Sequence, residues 1–232
     1  MTNPLKNNYL VRWAGAVVVT AAWLGCGGAK QPEPPAPTAP LPTAGLAAQQ
    51  VDVLPLTLLV AEEELRWDTL LADHRAALAR ADSIVGALLV ARAPEVTWVL
   101  PAELRRAARR APGIAPDPDR MGTAILFRGG ELDVVPDPLR SELRTLAALA
   151  GAGGSRYALV PAGLVFRRPG GAAGAAAAAG ASGASGGVAE LTVVIADVRT
   201  GRIGFRTVAR GAGDDPWTAL VHAVKNLTPG MP

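Results

Sequence analysis

Cysteine and histidine are almost absent from this 232-residue sequence, which holds one cysteine and two histidines. Zinc sites are built mostly from cysteine and histidine ligands, so a mixed cysteine and histidine zinc cluster is excluded. The single cysteine also excludes an intramolecular disulfide. The folded part of the chain must therefore rely on its hydrophobic core.

The sequence also lacks an excess of charge of one sign. It has 23 basic and 20 acidic residues, and two of the basic ones, Lys6 and Arg12, precede Cys26 while no acidic residue does. Subtracting those two leaves 21 basic residues against 20 acidic ones. Nucleic-acid binding needs a clustered basic surface, and only the four arginines within residues 105–110 form a local basic group. We therefore expect no nucleic-acid partner.

Catalytic motifs are absent as well. His74 and His222 each lie on a predicted helix without a second ligand at metal-binding spacing. The glycine-rich stretches contain neither of the two phosphate-binding glycine motifs, and no serine has the strand-turn-helix setting of a nucleophile elbow. The sequence predicts no catalytic residue, no bound metal and no cofactor.

The first 25 residues have the parts of an export signal. Residues 1–12 carry only basic charges, residues 13–24 are almost continuously apolar, and small residues precede Cys26. The apolar run is shorter than the roughly 20 residues that a membrane-spanning helix needs. The sequence predicts a signal peptide over residues 1–25.

The motif "WLGC", Trp23 to Cys26, resembles the lipobox of bacterial lipoproteins, although Trp23 stands where an aliphatic residue is usual. The resemblance implies cleavage before Cys26, transfer of a diacylglycerol to its thiol, and acylation of its new amino group. Cys26 would then attach the protein to the membrane, and Gly27 does not favour retention at the inner membrane, so we expect the outer membrane, facing the periplasm. The alternatives are an ordinary signal peptide with a nearby cysteine, or a buried apolar segment with an inert thiol.

Two further stretches have biased composition. Residues 26–50 are rich in proline and alanine and poor in bulky apolar side chains, which is typical of an extended tether. We expect this linker to join the lipid anchor to a folded domain over residues 51–230. Within that domain, residues 169–187 are almost entirely glycine, alanine and serine and predict a disordered loop at the tip of a hairpin.

The remaining chain alternates strand and helix patterns. Strands are predicted over residues 51–60 and 96–100, in "SRYALVPAGLVFRR", and twice in "VAELTVVIADVRTGRIGFRTVARG", where Gly201 suits a hairpin turn. Helices are predicted from Asp68 to Pro94, from Pro101, after an Asp137 cap, and from Pro216, where Asp214 and Asp215 suit a helix start. The stretch "RMGTAILF" fits a short helix or a strand, and we expect the helix. The pattern predicts a single α/β domain of three layers, with a mixed sheet of four or five strands, a C-terminal β-hairpin and flanking helices.

Two stretches carry a resemblance to a known group of proteins. Residues 157–163, "YALVPAG", follow a leucine-rich helix, and residues 196–204, "ADVRTGRIG", form the predicted hairpin. Together with the element order, they resemble the α/β domain of the TolB amino-terminal and CsgG-like periplasmic lipoproteins. The resemblance implies a lipid-anchored, non-enzymatic module that binds or helps to assemble envelope proteins. An exported enzyme or small-ligand-binding protein, and a structural subunit that self-associates into a homo-oligomer, remain the alternatives.

Overall fold

The computed structural model describes residues 38–128, 132–150, 153–169 and 186–228. The predicted signal peptide, the Cys26 lipidation site, residues 26–37 of the linker and residues 170–185 of the predicted disordered loop lie outside these ranges. Within them the predicted fold class is confirmed, because helices flank both faces of a mixed sheet.

Six strands and seven helices form within the described ranges. The strands are β1 Gln50–Val53, β2 Leu59–Ala61, β3 Thr97–Val99, β4 Tyr157–Arg167, β5 Gly187–Asp197 and β6 Ile203–Gly213. The helices are α1 Thr43–Leu46, α2 Asp68–Leu71, α3 His74–Arg92, α4 Pro101–Arg110, α5 Ala124–Arg128, α6 Leu139–Leu149 and α7 Pro216–Leu227. The sheet has six strands where four or five are predicted. The single strand expected over residues 51–60 is divided around Pro55 into β1 and β2, because proline has no amide proton to donate to a neighbouring strand.

The strand order in the sheet is β3-β1-β4-β5-β6, and β2 also pairs with β4. Strands β1 and β2 run parallel to β4, with β1 along its first part and β2 along its last part. Strand β3 is parallel to β1, whereas β4, β5 and β6 form an antiparallel meander. The long meander supplies most of the sheet, and the short parallel strands extend it at one edge.

A bulge in β4 between Pro161 and Gly163 reverses which residues face each side of the sheet. Before the bulge, Leu159 faces the layer of α3 and α7, and after it Leu164 and Phe166 do. Side chains alternate strictly along a regular strand, so an extra residue is needed to change the parity. Strand β4 is buried from Ala158 to Phe166, because a hydrophobic core covers each face of the sheet.

Two hydrophobic cores lie on opposite faces of the sheet and produce the three predicted layers. On one face, α3 and α7 contribute the following buried side chains: Val85, Leu89, Trp217, Leu220, Val224 and Leu227. On the other face, α4, α5 and α6 contribute Leu104, Leu126, Leu139, Leu143 and Leu146. Residues on the helices recur at three- and four-residue spacing, which places them on one stripe of each helix.

Two of the predicted helix starts differ from the structure. The sequence predicts a long helix from Asp68, but α3 begins at His74, and its N-cap is Asp73, whose carboxylate accepts a hydrogen bond of 3.0 Å from the Ala76 amide. Either aspartate can cap a helix, but Asp68 is the first residue of the separate short helix α2, whose N-cap is Trp67. The Asp137 side chain, predicted as a cap, instead accepts from the side chains of Ser141 and Arg140 in the first turn of α6.

The predicted linker boundary at residue 50 is also corrected. Thr38 donates its hydroxyl proton to the Val208 carbonyl on β6, and the Leu41 amide donates to the Leu227 carbonyl at the end of α7. Leu41 and Leu46 are buried in the core. Bulky leucines within the proline-rich stretch give it apolar surface to bury, so residues 38–50 belong to the folded domain.

The C-terminal hairpin agrees with its prediction. Gly201 has a φ of 76°, which favours glycine, and its amide donates to the Asp197 carbonyl at 2.7 Å. The predicted loop extends to Gly187, but this residue begins β5, where it pairs with Gly213. The ordered strand therefore includes the last residue of the low-complexity stretch.

Candidate functional site

The first half of α3 and the segment after α4 enclose a cleft of about 930 Å³, which we call the α3–α4 cleft. Its lining residues are Leu56, His74, Arg75, Leu78, Ala79, Arg105, Asp117, Asp119 and Arg120. The apolar lining comes from the β1–β2 connection and α3, while the charged groups come from α3, α4 and the turn at Pro118–Arg120. The volume lies in the range of binding clefts for small ligands and for side chains of a partner.

One arginine fixes the base of the α3–α4 cleft. Arg105 on α4 donates through Nε and Nη2 to the Asp119 carboxylate, at 3.0 and 2.7 Å, and Nη2 also lies 2.7 Å from Asp82 Oδ2. Asp82 on α3 accepts a second hydrogen bond, of 2.8 Å, from the Leu56 amide. This network of charged groups joins α3, α4, the β1–β2 connection and the segment after α4.

The surroundings raise the pKa of both Asp82 and Arg105, but for different reasons. Burial raises the pKa of Asp82 above its usual value, and the hydrogen bonds from Leu56 and Arg105 only partly oppose this effect. The pKa of Arg105 is raised, chiefly by its hydrogen bond with Asp119, so the guanidinium stays charged. The Leu56 amide and Arg105 therefore both stabilise the charged form of Asp82 against its burial.

The rim of the α3–α4 cleft carries a histidine and two arginines that are not used in this network. Among the described residues, His74, Arg75 and Arg120 form no ion pair or side-chain hydrogen bond, and each is exposed. Asp117 is occupied differently, since its carboxylate accepts from the Asp119 amide at the start of a short helical turn. The rim thus offers cationic donors to a partner above a fixed base.

The sequence predicts His74 on a helix without a partner, and the structure puts it at the first position of α3, on the wall of this cleft. His222 lies on α7, where Nδ1 is 2.6 Å from the Ala212 carbonyl of β6, so it joins helix to strand. No local pattern points to the Arg105 network, because its members are 14 and 23 residues apart.

A second polar cluster lies at the start of β1 and β4. The Ser155 hydroxyl donates to Asp52 Oδ1 and accepts from Gln50 Nε2 at 2.7 Å. Asp52 is only 2% exposed, and burial raises its pKa to about 7 despite the opposing hydrogen bond from Ser155. A buried carboxyl in the middle of a sheet is costly in its charged form, so this group prefers to keep its proton.

The raised pKa of Asp52 should make the free energy of unfolding depend on pH. The folded state binds this proton more tightly than the unfolded chain, so ionising Asp52 lowers the free energy of unfolding as the pH rises from about 4 to about 7. We expect Asp52→Asn to be more stable than the parent by about 2 kcal/mol at pH 8, with a Tm about 5 °C higher, and to lose this advantage near pH 5. Thermal unfolding between pH 5 and 8 measures the difference.

The matched control for this prediction is Glu64→Gln, at an exposed acid with no ion pair among the described residues. Its pH profile should follow that of the parent. A stability difference between parent and Asp52→Asn that is constant over this pH range would contradict the assignment of Asp52.

Two general features bear on what the described part of the chain can bind. No group of three histidine, cysteine, aspartate or glutamate side chains in the described ranges is arranged to hold a metal ion. No helix in the same ranges combines the length and the apolar composition needed to cross a bilayer.

Comparison with known proteins adds little to this description. No family model and no curated protein matches the chain. Among solved structures, the chain is similar to a PelC dodecamer from Paraburkholderia phytofirmans at 13% sequence identity, over 84% of this chain and 96% of that chain, with a TM-score of 0.30.

Proposed function

We propose that the protein is a lipid-anchored module of the bacterial cell envelope, held at the outer membrane through Cys26 and facing the periplasm, that binds another envelope protein. Its proposed role is to recruit or help to assemble that partner without catalysing a reaction. The α3–α4 cleft is the observation that carries this proposal. Its charged base is held by Arg105, and its rim presents cationic groups toward solvent.

The cleft suits recognition because its shape is fixed before a partner arrives. Four segments of the chain are tied together by the Arg105 network, so little conformational freedom would be lost on binding. Leu78 and Ala79 offer apolar surface beside Arg75 and Arg120. This combination favours a partner segment that carries acidic side chains next to an apolar one.

The geometry of the α3–α4 cleft supports catalysis less well than it supports binding. A general acid or base needs a group that orients it, and no described acid forms a hydrogen bond with His74. Asp119 is engaged by Arg105, and Asp117 is engaged by the Asp119 amide. Binding of a small ligand is the second candidate, because the volume of the cleft and its mixture of acids and bases also fit one.

The anchoring part of the proposal is tested by membrane fractionation. Since the acyl chains on Cys26 would hold the protein to the bilayer, Cys26→Ser should move it from the membrane fraction to the soluble periplasmic fraction. The control Gly28→Ser changes a nearby residue and keeps the cysteine, so this variant should remain in the membrane. Retention of Cys26→Ser in the membrane fraction would rule out the lipid anchor.

The binding part of the proposal is tested by reversing the charge of the rim. We expect Arg75→Glu together with Arg120→Glu to lower the amount of captured partner by about tenfold, since like charges across an interface repel. Glu is tolerated in the first turn of α3, where the helix dipole favours acids, so the fold should persist.

Lys225→Glu is the matched control for this charge reversal. It lies in the last turn of α7, and the end of α7 meets the end of α3, where Arg92 donates to the Thr228 carbonyl. The 19 residues of α3 separate this end from His74 by about 28 Å. Equal capture by the rim variant and by the Lys225 control would remove the cleft from the proposal.

A further inference from the structure

A second concave surface lies beside α6, next to the turn that joins β5 to β6. A pocket of about 430 Å³ is bounded by the second half of α6, by residues 153–156 before β4, and by the turn between β5 and β6. We call it the arginine pocket. Its lining residues are Arg144, Ala147, Ala148, Gly153, Gly154, Ser155, Arg156, Val198 and Arg199.

The charged residues that line the arginine pocket are all basic. Arg144, Arg156 and Arg199 come from three separate segments, and no acidic residue is among the lining residues. Like charges repel one another, so three arginines that line one recess are favourable only if something offsets their charge. The Asp197 carboxylate offsets one of them through Arg156, at 3.3 Å.

The structure also holds two of these arginines in place. Nη2 of Arg144 donates to the Arg199 carbonyl at 3.0 Å and thereby joins α6 to the β5–β6 turn. Arg156 lies over the Tyr157 ring, 5.1 Å from its centre. Burial acts to raise the pKa of Asp197, but hydrogen bonds from Thr200 and Arg156 lower it overall, so this carboxylate stays ionised beside the pocket.

Arg199 is available to a ligand. Its carbonyl is used by Arg144, but its guanidinium has no ion pair or hydrogen bond among the described residues, and the residue is exposed. The Ser155 hydroxyl at the floor is already committed to Asp52 and Gln50. Any anion in the pocket would therefore be held by the arginine walls and not by the floor.

We propose that the arginine pocket binds a phosphate group. Guanidinium groups match the geometry of phosphate oxygens, and a group with several oxygens can accept from more than one arginine at once. A carboxylate has only two oxygens and leaves more of the three charges unmatched. The phosphate group can belong to a soluble phosphate ester or to the headgroup of an anionic lipid, since both present the same chemistry.

The test uses the full-length chain with Cys26→Ser, so that acyl chains do not contribute. Inorganic pyrophosphate is titrated calorimetrically, and in a second arm sedimentation is measured with phosphatidylcholine vesicles with and without phosphatidylglycerol. The key variant is Arg199→Gln, which removes a guanidinium without a described side-chain partner and so should not disturb folding. We expect at least about a fivefold loss of affinity in the arm that shows binding.

Arg110→Gln is the matched control, because Arg110 is an exposed arginine on α4 whose Nε contacts only the Arg106 carbonyl, at 3.4 Å. The Arg110→Gln protein should bind pyrophosphate or the phosphatidylglycerol vesicles with the same affinity as the parent. Binding of pyrophosphate that depends on Arg199 assigns a soluble phosphate ester, and binding only to phosphatidylglycerol vesicles that depends on Arg199 assigns a lipid headgroup. Binding in neither arm, or equal loss with Arg110→Gln, overturns the proposal.

Discussion

Gly211→Ala should unfold the domain or destabilise it by more than about 3 kcal/mol. A Cβ at Gly211 on β6 would overlap the Ala223 amide nitrogen and would lie 2.6 Å from the Ala219 carbonyl oxygen of α7. These are backbone atoms inside a helix, so they cannot move without displacing α7 from the sheet. Urea unfolding followed by circular dichroism measures the loss.

Gly204→Ala on the same strand is the control for this prediction. A Cβ at Gly204 meets no atom within 4 Å, and the residue is exposed. Its stability should stay within about 1 kcal/mol of the parent or rise slightly, because alanine reduces the freedom of the unfolded chain. If both variants lose the same free energy, the close approach of β6 and α7 is not what makes Gly211 necessary.

Arg105→Met should lower the free energy of unfolding by about 2–4 kcal/mol at neutral pH. The substitution keeps the apolar stem but leaves the Asp82 carboxylate buried with only the Leu56 amide as a partner. Without the guanidinium, the raised pKa of Asp82 rises further, so the folded state gains a proton more readily than the unfolded chain. The loss should therefore shrink as the pH falls toward 5.

Asp119→Asn is the control, because it removes the exposed partner of Arg105 and leaves the buried contact between Arg105 and Asp82. The Asp119 side chain is 49% exposed, whereas that of Asp82 is 6% exposed, so removing the charge of Asp119 should cost less than about 1 kcal/mol. Chemical unfolding at pH 5 and pH 7.5 distinguishes the two variants. An Arg105→Met protein as stable as Asp119→Asn at both pH values would show that Asp82 does not depend on its arginine.

Helices and hairpins can be predicted from the sequence when the residues that specify them lie close together along the chain. The helix from Pro216 is predictable because its apolar stripe, the proline at its first position and the preceding acids act within three turns, and Asp215 does cap it. The hairpin at Gly201 is predictable for the same reason. The start of α3 is not, because Asp68 and Asp73 present equivalent capping signals five residues apart.

Long-range contacts explain what the sequence does not reveal. Thr38 lies in the predicted linker, and its partner Val208 is 170 residues away. The Arg105 network joins α4 to Asp82, and the Arg144 contact joins α6 to a turn 55 residues later. Composition and periodicity describe neighbours along the chain, so the two recesses become visible only when these segments are brought together.

Site-specific photo-crosslinking in living cells decides whether the α3–α4 cleft contacts an envelope protein. A photoreactive amino acid at Ala79, which lines the cleft and is exposed, is compared with one at Ala91, which is exposed twelve residues further along α3. We expect a crosslink to one recurrent envelope protein from Ala79 that disappears with Arg75→Glu and Arg120→Glu. Crosslinks only between copies of this chain, the same products from both positions, or no product from Ala79 would contradict it.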